Sequence, residues 1–362
     1  MEGLKTNRII GLDIARSFAV LGMVLVNFQI TMGATTGGPN WLHSFAALFE
    51  GRAAALFVVL AGVGASLASR RARESHDPSA KRIARIQLAK RALFLSVIGW
   101  LFFLIWPADI LHFYGVYLAL GSLALFVPAR WLWLLVFAAM LISLGFLVTF
   151  DPTMNWNLET LEYSGITTIG GFSLNLFFNG FHPVFPWVAF YFFGMWLGRT
   201  DLASRAWRKS LVIGAIALVA VSEAASWLAL GPRGSDLSKL DDQSALFLFS
   251  TEPLPPFPLY LLAGAGTAVL AICFAIWLGE KLPGKISEPL VSTGQLALTI
   301  YVAHVIVGMG VLDELGLLYD QSLSWAFITS SVFSGVAIIT AWLWRKKFKR
   351  GPLEAIMHRL LD

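Results

Sequence analysis

The chain has 362 residues, 57% hydrophobic and only 14% charged, with a formal net charge of +5. So little polar surface excludes a soluble globular domain of this size. The positive charge sits in short segments between apolar runs, which speaks for membrane orientation rather than a nucleic-acid surface. The one cysteine, Cys273, excludes a disulfide framework and a cysteine-based metal site.

The N-terminal flank MEGLKTNRII is basic and precedes an apolar run. That run contains Asp13 and Arg16 and lacks a small-residue cleavage pattern, so it predicts an uncleaved first helix over 9 to 31. Further apolar stretches follow at 51 to 69, 91 to 107, 110 to 128, 131 to 150, 183 to 199, 210 to 230, 257 to 278, 290 to 312 and 323 to 344. Each is long enough, as a helix, to cross a hydrocarbon core of about 30 Å. The expectation is an all-α polytopic membrane protein of about ten transmembrane helices, a single integral membrane domain over 1–362.

Counting Lys and Arg in the connections sets the orientation. One side carries 23 of the 27: Lys5 and Arg8, eight from Arg70 to Arg91, Arg130, four from Arg199 to Lys209, Lys281 and Lys285, and six from Arg345 to Arg359. The other side holds Arg233 and Lys239, while Arg16 and Arg52 lie within or at the ends of spans. The asymmetry predicts both termini in the cytoplasm, in a bacterial inner membrane. Two long outer loops, 151 to 182 without Lys or Arg and 231 to 256 running into EPLPPFP, are candidate lids. The segment WLHSFAALFE suggests a short interfacial helix ahead of Gly51, and the tail GPLEAIMHRLLD an amphipathic one on the cytoplasmic surface.

An ionisable group in a span costs roughly 2.5–3.5 kcal/mol near the bilayer centre, so each needs a reason. Asp13 and Arg16 are spaced to pair on one helix face. Asn27 follows Arg16 within about 20° of the same direction, making a polar stripe across most of the membrane. That stripe reads equally as a structural clamp or as the wall of a functional cavity.

Four histidines, His43, His112, His182 and His304, fall toward the outer ends of their segments, with His304 deepest in apolar sequence. Taken singly, each reads more readily as a packing or interfacial residue; as a set they suggest a convergent site. Asp109 and Glu50 are carboxylates placed to orient a general base near His112 and His43. Gly51 is expected to start a helix that leaves Arg52 at the outer rim. Glu223, inside the seventh span, has no local partner in sequence. No His-x-x-x-His pair, P-loop, dinucleotide fingerprint or nucleophile elbow is present, so no metal is expected and any catalysis uses scattered polar residues.

Three groups of segments carry a resemblance. RIIGLDIARSFAVLGMVLVNF with EGRAAALFVVLAGVGASL, and GFHPVFPWVAFYFFGMWLGRTDL, resemble bacterial membrane proteins similar to heparan-alpha-glucosaminide N-acetyltransferase. GQLALTIYVAHVIVG and RGPLEAIMHRLL resemble the C-terminal region of DUF418 (YeiB-like) proteins. The resemblance divides the chain into an acyltransferase-like half, 1–200, and a DUF418-like half, 201–362.

It implies transfer of an acyl group from cytoplasmic acyl-CoA, acetyl-CoA first, to a sugar or other small acceptor across the membrane. Asp13 and Arg16 match the family's Asp-x-x-Arg, placing them as coenzyme-binding candidates, and Asn27 falls at the position of an active-site Asn. The family's catalytic His after the first span has His43 as its nearest counterpart here, preceded by Trp41. His304 matches Tyr-x-x-His of the C-terminal signature, and His182 belongs to the Pro-rich helix. The expected site is therefore His304, Asn27, His43, His182, His112 and Asp109, with Arg16 and Asp13 toward the donor. Expected partners are the lipid bilayer and a small-molecule or glycan acceptor, with no nucleic acid and a homodimer left open. A proton-coupled transporter using Asp13, Arg16 and Glu223, or a noncatalytic membrane assembly protein, are the alternatives.

Overall fold

The computed structural model describes residues 9–157, 162–231 and 248–361. Lys5, Arg8, Arg233 and Lys239 of the charge asymmetry, and most of the 231 to 256 loop, lie outside the described residues. The first half contains α1 (Ile10–Thr31), α2 (Asn40–Ala47), α3 (Arg52–Ala68), α4 (Arg70–Glu74), α5 (Pro78–Phe103), α6 (Leu111–Ala124) and α7 (Ala129–Thr149). After a two-residue antiparallel hairpin come α8 (Ile169–Leu174), α9 (Val184–Leu197) and α10 (Arg205–Leu230). The remainder is α11 (Pro258–Lys281), α12 (Gly284–Gln295), α13 (Ala297–Ala303), α14 (Gly310–Glu314), α15 (Leu323–Lys347) and α16 (Pro352–Leu361).

Eight helical runs among the described residues are long and apolar enough to cross a bilayer, and two shorter apolar helices, α6 and α9, fall where the other two spans are expected. The chain is an all-α, multi-pass membrane protein. Side chains such as Leu104, Val148 and Leu228 stay exposed because hydrocarbon, not water, is their solvent. Helix ends follow local chemistry. Asp77 caps α5 by accepting from Ser79 N at 2.8 Å and Ala80 N at 3.3 Å, with Pro78 in the first turn. At the other end of α6, Arg199 donates to the carbonyls of Val127 and Leu125, satisfying groups that the helix terminus leaves open.

The chain groups into two compact units, one of 1–57, 203–212 and 268–358, the other of 58–202, 213–267 and 359–362. Within the first, α1 lies against α12 and α15. A Cβ built on Gly294 of α12 would stand 1.8 Å from the Asp13 carbonyl oxygen, and one on Gly11 would stand 2.2 Å from Ile276 Cα. These glycines let helix backbones touch, the usual way bundles pack in lipid.

The expected ninth span, 290 to 312, is not one regular helix. It stops at Gln295, turns at Leu296 (φ −107, ψ 21), restarts as α13 and widens into a π-helix over His304–Met309. The expected start at Gly51 is present: its φ of +66 breaks the path from Glu50 and α3 begins at Arg52. Arg52, however, is buried rather than at a rim. Glu50 does not orient His43; its Oε1 accepts from Gln29 Nε2 at 3.0 Å.

Candidate functional site

The polar stripe of α1 is built as its spacing requires, within the first unit. Toward the N-terminal end, Arg16 reaches Asp13 at 2.5 Å and Gln295 Nε2 lies 3.5 Å from the second carboxylate oxygen. The Asp13 side chain is 2% exposed and that of Arg16 32%, so the acid is enclosed while the Arg16 side chain is partly open. About 21 Å further along the helix axis, the stripe ends at Asn27.

There the α1 amide meets the π-helix. Asn27 Nδ2 lies 2.9 Å from His304 Nε2, and His304 Nδ1 is bonded to the Tyr301 carbonyl oxygen. A carbonyl only accepts, so Nδ1 carries the proton and donates to it. Nε2 is then left with a lone pair, which accepts from the Asn27 amide. A backbone carbonyl fixing the tautomer of a working imidazole is a recurrent arrangement. His304 and Tyr301 are fully enclosed. Thr31, one turn beyond Asn27 on the same face, donates to Met309 Sδ at 3.6 Å, so both ends of the π-helix are tied to α1. π-Helical turns are rare and concentrate at functional sites. Chemically, this is a base with its lone pair aimed at an amide that can also stabilise a developing oxyanion.

His43 is not part of that pair. It lies half-buried on α2, which packs through Leu42 and Ala46 on Leu323, and makes no hydrogen bond with a described residue.

The second unit holds the other predicted residues. Asp109 Oδ2 accepts from His112 N and His112 Nδ1, both at 3.1 Å, and both side chains are fully buried. Asp109 thus caps α6 and orients the ring at once. The His112 ring sits among Trp100 (centroids 4.7 Å), Phe103 (5.2 Å) and Phe113 (3.9 Å), and its Nε2 has no hydrogen-bond partner among the described residues. Phe113 also contacts His182, whose ring lies 4.7 Å from that of Trp187. The His182 carbonyl accepts from Tyr117 at 2.5 Å. Burial, with His112 nearby, pushes the His182 imidazolium down to about 3, so this ring is neutral at physiological pH. Trp100 stacks on Phe172 from the 151 to 182 loop, which Asn179 fastens by accepting from Tyr163 at 3.0 Å and donating to Met154 O at 2.8 Å.

Glu223 has a partner after all, accepting from Thr251 at 3.1 Å. Sequence reasoning missed Gln295, Thr31 and Met309. Gln295 alone carried a signal, as a polar residue opening the apolar run of the ninth span. Among the described residues no group of three His, Cys, Asp or Glu is arranged to hold a metal ion.

Fold and site together define a multi-pass membrane protein with a tautomer-fixed histidine against an amide inside the bundle. A family model described as heparan-alpha-glucosaminide N-acetyltransferase, catalytic, matches residues 8–228, and one described as protein of unknown function (DUF418) matches residues 194–362. The chain belongs to the heparan-alpha-glucosaminide N-acetyltransferase catalytic family, a transmembrane acetyltransferase-like family, and its C-terminal part is similar to DUF418. No curated protein matches it.

Proposed function

We propose that this protein transfers an acyl group, acetyl in the first instance, from cytoplasmic acyl-CoA to a hydroxyl or amine of a small-molecule or glycan acceptor at the far side of the membrane. The observation that supports the reading is the Asn27–His304–Tyr301 arrangement. His304 Nε2 takes the acceptor proton as the acceptor heteroatom attacks the thioester carbonyl; the C–S bond then breaks and the proton passes to the departing thiolate. The Asn27 amide turns from the imidazole to the tetrahedral oxyanion, while the Tyr301 carbonyl holds the imidazolium through Nδ1–H. Arg16, whose side chain is partly open, serves the coenzyme A phosphates. The interrupted ninth span is also the kind of helix that transporters use at substrate sites, and the donor test separates the two readings.

Calorimetry with acetyl-CoA and detergent-purified protein is expected to give saturable binding, weakened about tenfold or more in Arg16→Ala, the loss of a charge-assisted phosphate contact. Absence of binding by acetyl-CoA and by longer acyl-CoAs to folded protein would reject the donor and leave the transporter reading.

The same reading places the basic connections and both termini in the cytoplasm. The sole native cysteine is buried, so introduced cysteines report cleanly. A membrane-impermeant maleimide is expected to label Thr167→Cys in intact cells and His76→Cys only after permeabilisation. The reverse pattern would invert the orientation.

A further inference from the structure

The restart of the ninth span leaves a physical problem. The first N–H groups of a helix have no intrahelical acceptor, and at Ala297–Glu314 they lie inside a membrane protein, where unpaired donors are costly. The solution comes from the C-terminal helix. Glu354 of α16 accepts from Leu298 N at 2.9 Å and Thr299 N at 3.1 Å through Oε1, and from Thr299 Oγ1 at 2.5 Å through Oε2. Thr299 Oγ1 in turn accepts from Leu353 N at 3.2 Å. Gly351 admits this contact, since a Cβ there would lie 2.2 Å from Glu354 Oε2.

A carboxylate at a helix N-terminus suits both the open donors and the helix dipole. This one arrives from 55 residues downstream instead of from the preceding residue. The capped end is rigidly connected to the base. His304 follows Thr299 by five residues, about 7.5 Å of helix rise, with the Tyr301 carbonyl that sets its tautomer between them. Tilting or unwinding the first turn of α13 therefore moves Nε2 relative to Asn27, which is anchored separately on α1.

We infer that Glu354 is a positioning residue for His304: its carboxylate, carried by the C-terminal amphipathic helix, sets the place and tautomer of the imidazole by capping the broken ninth span. The inference rests on the acyltransferase reading for its kinetic consequence but not for its structural one, so the two can fail separately.

The test uses the full chain in lipid nanodiscs as Glu354→Ala, Glu354→Gln and Glu354→Asp, with ring-15N histidine resonances assigned through His304→Gln. In the native protein the His304 signals should show a protonated Nδ1 and an unprotonated Nε2. Glu354→Ala is expected to lose that pattern to an averaged one and to speed amide exchange at Leu298 and Thr299. Glu354→Gln, which keeps one oxygen for the two N–H groups, should restore it. Turnover in acetyl transfer should fall roughly tenfold in Glu354→Ala with the acyl-CoA KM unchanged, the signature of a misplaced base rather than a lost binding contact. A folded Glu354→Ala protein with native His304 signals would overturn the inference. If that variant does not fold, Glu354→Asp decides, because its carboxylate is one methylene too short for the two N–H groups, and native signals there would overturn it equally. Altered His304 signals in a protein without any transferase activity would uphold the positioning role and reject the acyl-transfer reading instead.

Discussion

His304→Gln is expected to reduce acyl transfer by on the order of 10³-fold while leaving acyl-CoA binding intact, because it removes a general base and no donor contact. Asn27→Ala should cost on the order of 10²-fold, the usual worth of one oxyanion donor. The two losses should not add. Without the base there is little developing charge for the amide to stabilise, and without the amide the Nε2 lone pair is buried with its described donor removed. The double variant should therefore be no slower than His304→Gln alone. Single-turnover transfer of labelled acetyl to the acceptor checks this, since product release then does not mask the chemical step. Near-native transfer by His304→Gln would move the base to another imidazole, with His43 in the same unit tested next.

How much of this was legible beforehand depended on whether the deciding contact was local. The helical spans were readable because each is a contiguous apolar run, and the α1 stripe because its residues repeat at helical spacing. The Asp109–His112 contact was readable for the same reason, three residues apart at a helix start. The Asn27–His304 pair spans 277 residues, and no periodicity points across such a gap; the resemblance named both residues but not their contact. The break at Leu296 was hidden because Gly294, two residues before the turn, reads equally as a small residue for helix packing, so an interrupted helix and a continuous one read alike. Glu354 was visible only as a charge on an amphipathic tail. Its use depends on an open helix end that the sequence does not announce.

On the acyl-transfer reading, Asp13 and Arg16 would divide the roles of clamp and cavity wall between them. Asp13 is enclosed and bonded to Arg16 and Gln295, which suits a clamp, whereas the Arg16 side chain is a third exposed, which suits a ligand contact. In the second unit Asp109 has a sufficient structural role in capping α6. Packing does not explain the unmatched Nε2 of His112, nor the Nδ1 of His182, which also lacks a hydrogen-bond partner among the described residues.

Gly294→Ala should be the most damaging single methyl that can be added near the stripe. The new Cβ would lie 1.8 Å from the Asp13 carbonyl oxygen and 3.2 Å from Ser17 N, and neither is a flexible side-chain tip that can turn away. The helices must separate by about 1.5 Å to restore ordinary contact, and overpacking of this kind costs about 3 kcal/mol or more when backbone has to move. Separation would also strain the Gln295–Asp13 contact next to it. Gly335→Ala on α15 is the control, because its Cβ meets nothing within 4 Å and Ala favours a helix over Gly by about 1 kcal/mol. Detergent-solubilised Gly294→Ala is therefore expected to lose its monodisperse peak at a temperature well below the parent, with Gly335→Ala at or slightly above it. Because unfolding from detergent is commonly irreversible, the comparison is best made as half-lives at one temperature. Equal half-lives for Gly294→Ala and the parent would mean that α1 and α12 do not touch at this crossing, and with that contact would go the frame that holds Asp13 at the N-terminal end of the stripe.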